Sequence, residues 1–395
     1  MVRTMRERLN WIDWLKVAVV FGAFLFHAAQ PFVFTTWLVN DPDKSVALSI
    51  LSGFGYLFGM PLMFLLAGAT TWLAVDRTGV AGHAALRVRR LIVPLAIGLA
   101  VLSPLQVWLA TIASGGLEDP GSFMARYLAT LRLYPSPTWF GDYGYHLWFL
   151  AFLFIDVLLV LPLLPRLRAA RDAGRLVVGR FVARPLGLAT LFGAVALPQL
   201  VLRPLFPVYR DWADFALWLA YFGIGVLAMA DRELLGAIVS RRRMLVWLIP
   251  AAAIAYLPIL AIGTPLELEH APGFGLAGLA YVAWRTAIGW LMVMTLVGFA
   301  SAFLTARPRA LGWAARTALP FYVLHHPVVV LVAALVVGSG IGMWARFGLI
   351  VGISLVGTLL LCVAVSRGPA VVSRLVARDE SPGAGAGTPA REPQP

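Results

Sequence analysis

Residues 11–38 read WIDWLKVAVVFGAFLFHAAQPFVFTTWL, and this stretch decides the fold. Nearly all of its side chains are apolar, over a length that as a helix would cross a bilayer. One ionisable side chain, His27, lies in its interior. An ionisable group inside a membrane helix is costly to insert, so the stretch predicts a membrane helix that carries a functional residue near its middle.

The rest of the chain repeats this apolar character. Its 395 residues are 60% hydrophobic and 13% charged, with a mean hydropathy of +0.83, whereas soluble domains contain about half apolar residues. The apolar runs are continuous and about twenty residues long, which is the length of a membrane helix rather than of a barrel strand. The predicted fold is all-α, a polytopic transmembrane helical bundle.

The hydropathy pattern predicts about ten spans. They fall near residues 14–36, 50–75, 90–113, 146–164, 185–203, 212–230, 244–263, 275–299, 317–338 and 343–366. Arginines are concentrated in alternate loops between these spans, so the positive-inside rule places both termini in the cytoplasm. The net charge of +13 follows this loop pattern. It therefore indicates a multi-pass membrane protein surrounded by lipids rather than a partner of nucleic acid, and we expect it in the bacterial inner (plasma) membrane.

The chain divides into a membrane domain and a tail. Residues 1–368 form one membrane domain without a visible internal repeat. Residues 369–395 are rich in Gly, Pro and Ala and cannot bury a core, so we expect a disordered cytoplasmic tail. A single cysteine, Cys362, excludes an intramolecular disulfide. A homodimer is one oligomeric state that the sequence leaves open.

Lys16 and His27 are separated by eleven residues, which on a helix is three turns plus about 20°. The two side chains therefore share one helix face, with Asp13 placed to hold Lys16. Gln30, about one turn beyond His27, is placed to orient the imidazole or an acceptor hydroxyl. The alternative is a core histidine that only bonds a neighbouring helix. The alignment with Lys16 favours a functional role for His27.

Arg87 and Arg90 precede the third span as an i,i+3 pair, which on an α-helix faces one way. Arginines at this position also fix topology, but that role does not require the spacing. A guanidinium group is planar and always charged, and it binds phosphate in bidentate fashion. The pair therefore suggests a cytoplasmic site for a phosphate-bearing donor such as coenzyme A.

Asp156 and Arg285 are opposite charges inside two different apolar runs. Each lies about ten residues from the outer end of its predicted span, close to the expected depth of His27. Opposite charges at one depth in a bilayer usually pair. We therefore expect an ion pair, which either locks two helices together or contributes to the site.

Two further histidines, His325 and His326, are adjacent in the ninth span. On a helix they point about 100° apart, so they do not form an i,i+4 metal pair. No metal-binding signature occurs, and we expect no metal site.

The longest outer loop, residues 114–145, is rich in aromatic side chains. They are typical of an interfacial aromatic belt, and a stacking surface for a sugar is the alternative.

Five stretches of sequence together carry a family signature. They are Leu9-Asn-Trp-Ile-Asp13-Trp-Leu-Lys16 leading to Phe26-His27, Met60-Pro-Leu-Met-Phe-Leu-Leu-Ala-Gly68, Arg87-Val-Arg-Arg90-Leu-Ile-Val-Pro94, His146-Leu-Trp148-Phe-Leu150 and Leu319-Pro-Phe-Tyr322-Val-Leu-His325. The chain resembles the acyltransferase 3 family of integral membrane acyltransferases over residues 9–366, and its glucan-modifying branch in particular. It departs from the family at Lys16, where arginine is usual, and at His326, where glutamine is expected.

The resemblance implies a membrane O-acyltransferase, an enzyme that transfers groups other than aminoacyl groups. Cytoplasmic acyl-CoA would be the co-substrate, with no permanently bound cofactor. The acceptor would be a hydroxyl of a glycan, a sugar or a lipid-linked molecule at the membrane or its outer face. The implied catalytic residues are His27, Lys16 and Asp13, and Arg87 and Arg90 would bind the donor. The implied substrate-binding residues are Gln30, His146, Trp148, Asp156, Arg285, Tyr322 and His325.

Two other classes of function compete with this interpretation. A transporter or flippase would use His27, Asp156 and Arg285 as a proton relay inside the membrane. A membrane sensor or scaffold would need none of these side chains for chemistry. The missing repeat and the arginine pair favour the acyltransferase.

Overall fold

The computed structural model describes residues 9–116, 119–260 and 265–367, and in this part all regular structure is helical. Ten apolar helices form the bundle. They are α1 (Asn10–Phe32), α2 (Val46–Val75), α3 (Thr78–Ala113), α4 (Thr138–Asp172), α5 (Gly187–Leu202), α6 (Trp212–Ala230), α7 (Arg242–Ile259), α8 (Leu276–Phe303), α9 (Arg309–Val336) and α10 (Met343–Arg367). The predicted tail of residues 369–395 lies outside the described residues.

Nine of these ten helices are long and apolar enough to span a membrane, which confirms the predicted polytopic helical bundle. The exception is α5, whose 16 residues rise only about 24 Å, less than the hydrocarbon thickness of about 30 Å. Three predicted helix starts are wrong, because α3 begins at Thr78, α4 at Thr138 and α9 at Arg309, each at least eight residues earlier than expected. Short helices at Pro120–Thr130, Val178–Val182, Arg232–Ser240 and Pro265–His270 connect the long ones.

The turn between α2 and α3 depends on Gly79. Its backbone has φ 68° and ψ 171°, a region that is accessible almost only to glycine. Beyond the turn, α3 contains two π-helical segments, Val88–Ile92 and Gly98–Leu102. Each precedes a proline, Pro94 or Pro104, whose missing N–H interrupts the regular α-helical hydrogen bonds. The wider turns make α3 irregular along much of its length.

Helices α2 and α6 are packed backbone to backbone. A Cβ atom added to Gly68 would lie 2.0 Å from the Phe222 carbonyl oxygen, and one added to Gly225 would lie 1.9 Å from that of Leu65. Only glycine therefore fits at these two crossing points, as is common where membrane helices approach closely.

An aromatic core joins α2, α4 and α6 beside this contact. The ring of Trp218 stacks on Phe64 at a centroid distance of 5.4 Å and on Trp148 at 4.5 Å. All three side chains are buried. Because Trp148 begins the long helical part of α4, the core fixes the position of the residues just before it.

Substitution of Gly225 by alanine should destabilise the protein. The added methyl group meets the Leu65 carbonyl, so α2 and α6 must separate, at a cost of about 1–3 kcal/mol. Gly223→Ala is the matched control, because a Cβ there meets nothing within 4 Å. Thermal unfolding in detergent should show a lower Tm for Gly225→Ala and no decrease for Gly223→Ala. Equal Tm values for the two variants would contradict the close contact.

Candidate active site

Four imidazole rings from three helices meet in the bundle. The ring of His27, on α1, lies 4.5 Å from that of His326 on α9, measured between centroids. The His146 ring of α4 is stacked on His326, also at 4.5 Å, and lies 5.5 Å from His325. Sequence analysis placed these four histidines on three different spans, and the structure brings them into one group, called the imidazole cluster below.

His325 fixes the tautomer of His27. The Nδ1 atom of His325 lies 3.1 Å from the Phe321 carbonyl oxygen, which can only accept, so this nitrogen carries a proton. In neutral His325 the Nε2 atom is then an acceptor, and it lies 3.0 Å from Nδ1 of His27. Nδ1 of His27 therefore donates, which leaves the lone pair of His27 on Nε2.

His146 is held by α9 from both sides. Pro327 has no N–H, so the carbonyl of Val323, four residues earlier, lacks its usual helical partner. The Nε2 atom of His146 donates to that carbonyl at 3.1 Å. The Tyr322 hydroxyl in turn donates to the backbone carbonyl of His146. Proline in the sequence motif thus creates the acceptor that orients the histidine.

Gln106 is a member of the site that sequence analysis missed. Its amide nitrogen donates to the Leu102 carbonyl at 2.8 Å, which turns its side-chain oxygen toward His326. The Nδ1 atom of His326 donates to that oxygen. An amide in the middle of an apolar run was the available signal in the sequence. Glutamine is also the residue expected at position 326, so here the amide reaches the cluster from α3 instead.

His27 differs from the other three histidines in its exposure. Its side chain is half-buried, whereas His146, His325 and His326 are buried. Among the described residues no group of three or more His, Cys, Asp or Glu side chains is arranged to hold a metal ion. The cluster therefore presents one reachable imidazole, His27, backed by three others with fixed hydrogen bonds.

Lys16 and His27 both contact α9. Lys16 Nζ donates to the Ala315 carbonyl at 3.2 Å, and His27 bonds His325 ten residues further along. Helices α1 and α9 thus run in parallel, and the two side chains share a face as the spacing indicated. Asp13 also pairs with Arg307 at 3.8 Å, a partner that sequence analysis did not predict.

Arg87 lies near the start of α3, far from Gln106, and forms two side-chain hydrogen bonds. Its Nε donates to His83 Nε2 and its Nη2 to the Thr71 hydroxyl, both at 3.0 Å. Arg90 lies within the π-helical segment Val88–Ile92. A π-helical turn contains more residues than an α-helical turn, so the three-residue spacing does not place the two arginines on one face as expected. Both arginines are partly exposed.

The expected ion pair between Asp156 and Arg285 is wrong. Arg285 pairs with Glu269 at 3.4 Å, and both carboxylate oxygens of buried Asp156 are without a hydrogen-bond partner. The reason is the early start of α4, because Asp156 lies eighteen residues beyond Thr138 at the start of its helix, whereas Arg285 lies nine residues beyond Leu276 at the start of α8. The two charges therefore lie at different depths.

The remaining predicted site residues, Trp148 and Gln30, contact groups other than the imidazole rings. Trp148 belongs to the aromatic core, and the amide of Gln30 donates to the Phe26 carbonyl of its own helix at 3.2 Å. In the outer loop the aromatic rings mainly contact one another. For example, Tyr127 stacks on Phe123 at 6.0 Å.

Comparison with known proteins identifies the family. The model of the acyltransferase 3 family, an acyltransferase domain, matches residues 9–367. Glucans biosynthesis protein C from Escherichia coli O1:K1 / APEC and from Escherichia coli K12 are each 22% identical over 366 residues, which is 89% of this chain and 90% of theirs. No solved structure matches the chain. The protein therefore belongs to the acyltransferase 3 family and is a multi-pass membrane acyltransferase.

Proposed function

We propose that the protein is an O-acyltransferase that moves an acyl group from cytoplasmic acyl-CoA to a glycan hydroxyl at the outer face of the membrane. One observation carries the proposal. His27 is the reachable member of the imidazole cluster, and its hydrogen bond to His325 leaves an unprotonated Nε2. A neutral imidazole with one free lone pair and an oriented Nδ1–H is the arrangement of a general base.

The chemical step requires one proton to move twice. Nε2 of His27 takes the proton of the acceptor hydroxyl as its oxygen attacks the thioester carbonyl carbon. The carbon–sulfur bond then breaks, the ester forms, and the departing thiolate takes the proton back from His27. His325 accepts the Nδ1–H bond throughout and stabilises the transient imidazolium. A covalent acyl-histidine route is the alternative mechanism.

The arginine positions support a donor that enters from the cytoplasm. Arg90 precedes Gln106 of the cluster by sixteen residues, or about 24 Å of helix, whereas Lys16 precedes His27 by only about 16 Å. We infer two levels of phosphate binding. Arg87 and Arg90 would contact the phosphates at the nucleotide end of the donor, and Lys16 would contact the phosphate nearer the thioester.

Asp156 has a place on the same route. It lies about 15 Å from His146 in the cytoplasmic direction, and neither carboxylate oxygen has a hydrogen-bond partner. An unsatisfied buried carboxyl group is costly. The amide N–H groups of the pantetheine arm would supply the missing donors.

The distribution of arginines supports an orientation with both termini in the cytoplasm of a bacterial cell, in its inner membrane. The competing transporter hypothesis required a relay through His27, Asp156 and Arg285. It loses support because Arg285 pairs with Glu269 instead. The name of the Escherichia coli relatives, glucans biosynthesis protein C, supports a glucan as the acceptor.

Substitution of His27 by alanine should reduce kcat for acyl transfer by roughly 10²–10⁴, the usual contribution of a general base. The measurement is release of free coenzyme A coupled to mass-spectrometric detection of the acylated glycan. Gel filtration and Tm should show that the variant is folded. The exposed His270 provides a matched His270→Ala control with unchanged kcat. Full activity of His27→Ala would contradict the assignment of the base.

Substitution of His325 tests its positioning role. His325→Gln retains a side-chain oxygen that can accept from His27 Nδ1–H, whereas His325→Met removes the acceptor. We expect kcat to fall by roughly tenfold to a hundredfold in the Met variant, with a partial recovery in the Gln variant and little change in KM. Equal kcat values for both variants would mean that His325 only fills space.

Arg87→Lys combined with Arg90→Lys separates phosphate recognition from topology. The double variant keeps both positive charges but loses the bidentate geometry, so KM for acyl-CoA should rise on the order of tenfold while kcat changes little. Arg171→Lys is the matched control, an exposed arginine of the same side paired with Asp172. An unchanged KM in the double variant would mean that the two arginines only set the membrane topology and do not bind the donor.

A further inference from the structure

Arg285 belongs to a second polar centre, separate from the imidazole cluster. It lines a small cavity of about 20 Å³ between α2, α5, α6 and α8, together with Gln199, Tyr221 and Thr286. The side chain of Arg285 is 8% exposed. It lies nine residues into α8, about 14 Å from the start of that helix, in the half of the bundle opposite the arginine-rich loops.

The charge of Arg285 is neutralised locally. Its Nη2 lies 3.4 Å from Oε1 of Glu269, a residue of the short helix Pro265–His270 with a 31% exposed side chain. The other Glu269 oxygen accepts from the Tyr281 hydroxyl at 2.5 Å. The guanidinium group also lies 5.8 Å from the centroid of the Tyr56 ring. This centre is therefore a closed ion pair beside an aromatic face, and its net charge is close to zero.

Two tyrosines extend this centre. The rings of Tyr56 and Tyr209 lie 4.7 Å apart, and neither hydroxyl forms a hydrogen bond to any residue that the structure describes. Burial raises the pKa of Tyr209 well above its usual value, so its hydroxyl stays a donor. The adjacent Arg210 has φ 70°, a strained backbone for a non-glycine residue, and its N–H donates to Asp214 at 2.8 Å. The strain indicates that Tyr209 is held in a defined position.

We infer that Arg285, Glu269, Tyr56 and Tyr209 form a subsite for a neutral sugar unit of the acceptor. A guanidinium and a carboxylate in contact bind neighbouring hydroxyls as paired donor and acceptor, and an aromatic face packs on the C–H face of a sugar ring. An anion would compete with Glu269 for the same guanidinium, so a neutral ligand fits better. The inference rests on the proposed function, because it assumes a glycan acceptor.

The subsite is remote from the reacting hydroxyl. The Tyr209 ring lies 5.8 Å from Trp148, and Trp148 follows His146 of the imidazole cluster by two residues. Two ring contacts, Trp148–Tyr209 and Tyr209–Tyr56, and the guanidinium contact of Arg285 with Tyr56 thus connect Trp148 to Arg285. Only an acceptor longer than a single sugar can occupy both ends, so the subsite selects oligosaccharides over monosaccharides.

Equilibrium binding of a short neutral glucan oligosaccharide to the full-length protein in lipid nanodiscs tests this subsite without an acyl donor. Arg285→Lys keeps the charge but loses the planar fork, so Kd should rise on the order of tenfold or more. Tyr56→Phe and Tyr209→Phe remove one hydroxyl each, and Kd should rise about threefold. Tyr127→Phe is the matched control, a buried outer-side tyrosine packed on Phe123, and its Kd should match wild type.

His27→Ala separates this inference from the proposed function, because it should bind the oligosaccharide like wild type although its kcat for acyl transfer falls by roughly 10²–10⁴. Failure of the wild type to bind the oligosaccharide, or wild-type Kd values in the Arg285 and tyrosine variants, would overturn the subsite. Glu269→Gln should weaken glucan binding. If it instead left that Kd unchanged and tightened binding of glucose 6-phosphate, the centre would be an anion site and the inference would be wrong.

Discussion

Imidazole nitrogens buried inside a membrane bundle must find hydrogen-bond partners within the protein, because lipid offers none. This constraint organises the centre of the molecule. Pro327 leaves the Val323 carbonyl free to accept a hydrogen bond from His146. The Phe321 carbonyl accepts from His325, and the side-chain oxygen of Gln106 accepts from His326. Each bond joins a histidine to a fixed group, so the tautomers are fixed as well. Nδ1 of His146 is buried without a partner, so a substrate can reach the cluster at the Nε2 atom of half-buried His27.

The backbone is strained beside both polar centres. Among the described residues the non-glycine positions with positive φ are Tyr145, at 50°, and Arg210, at 70°. Tyr145 directly precedes His146, and Arg210 directly follows Tyr209. Strain of this kind persists where the surrounding packing over-determines a conformation, which is common at functional sites. The aromatic core around Trp148 and Trp218 lies between the two positions and supplies that rigid packing.

Hydropathy was sufficient to predict the fold, because the number and order of membrane helices depend on long runs of apolar residues. Hydropathy did not predict where each helix begins and ends. The start of α4 at Thr138 precedes the apolar run, and that shift of eight residues displaced the expected depth of Asp156. The histidines could be named from the sequence, yet their convergence could not, because it depends on contacts such as that between His326 and Gln106, 220 residues apart.

The two sides of the bundle differ in net charge, and this difference suits two different substrates. On the side opposite the arginine-rich loops, Arg203, Arg210, Arg285 and Arg346 each lie beside a carboxylate, from Asp214, Asp142, Glu269 and Asp41 respectively. Paired charges there leave little field to attract an anion. The other side carries a large excess of arginine over acidic residues. Such a field favours an anionic donor such as acyl-CoA, and the paired side favours a neutral glycan, which is the separation of substrates that the proposed reaction at His27 requires.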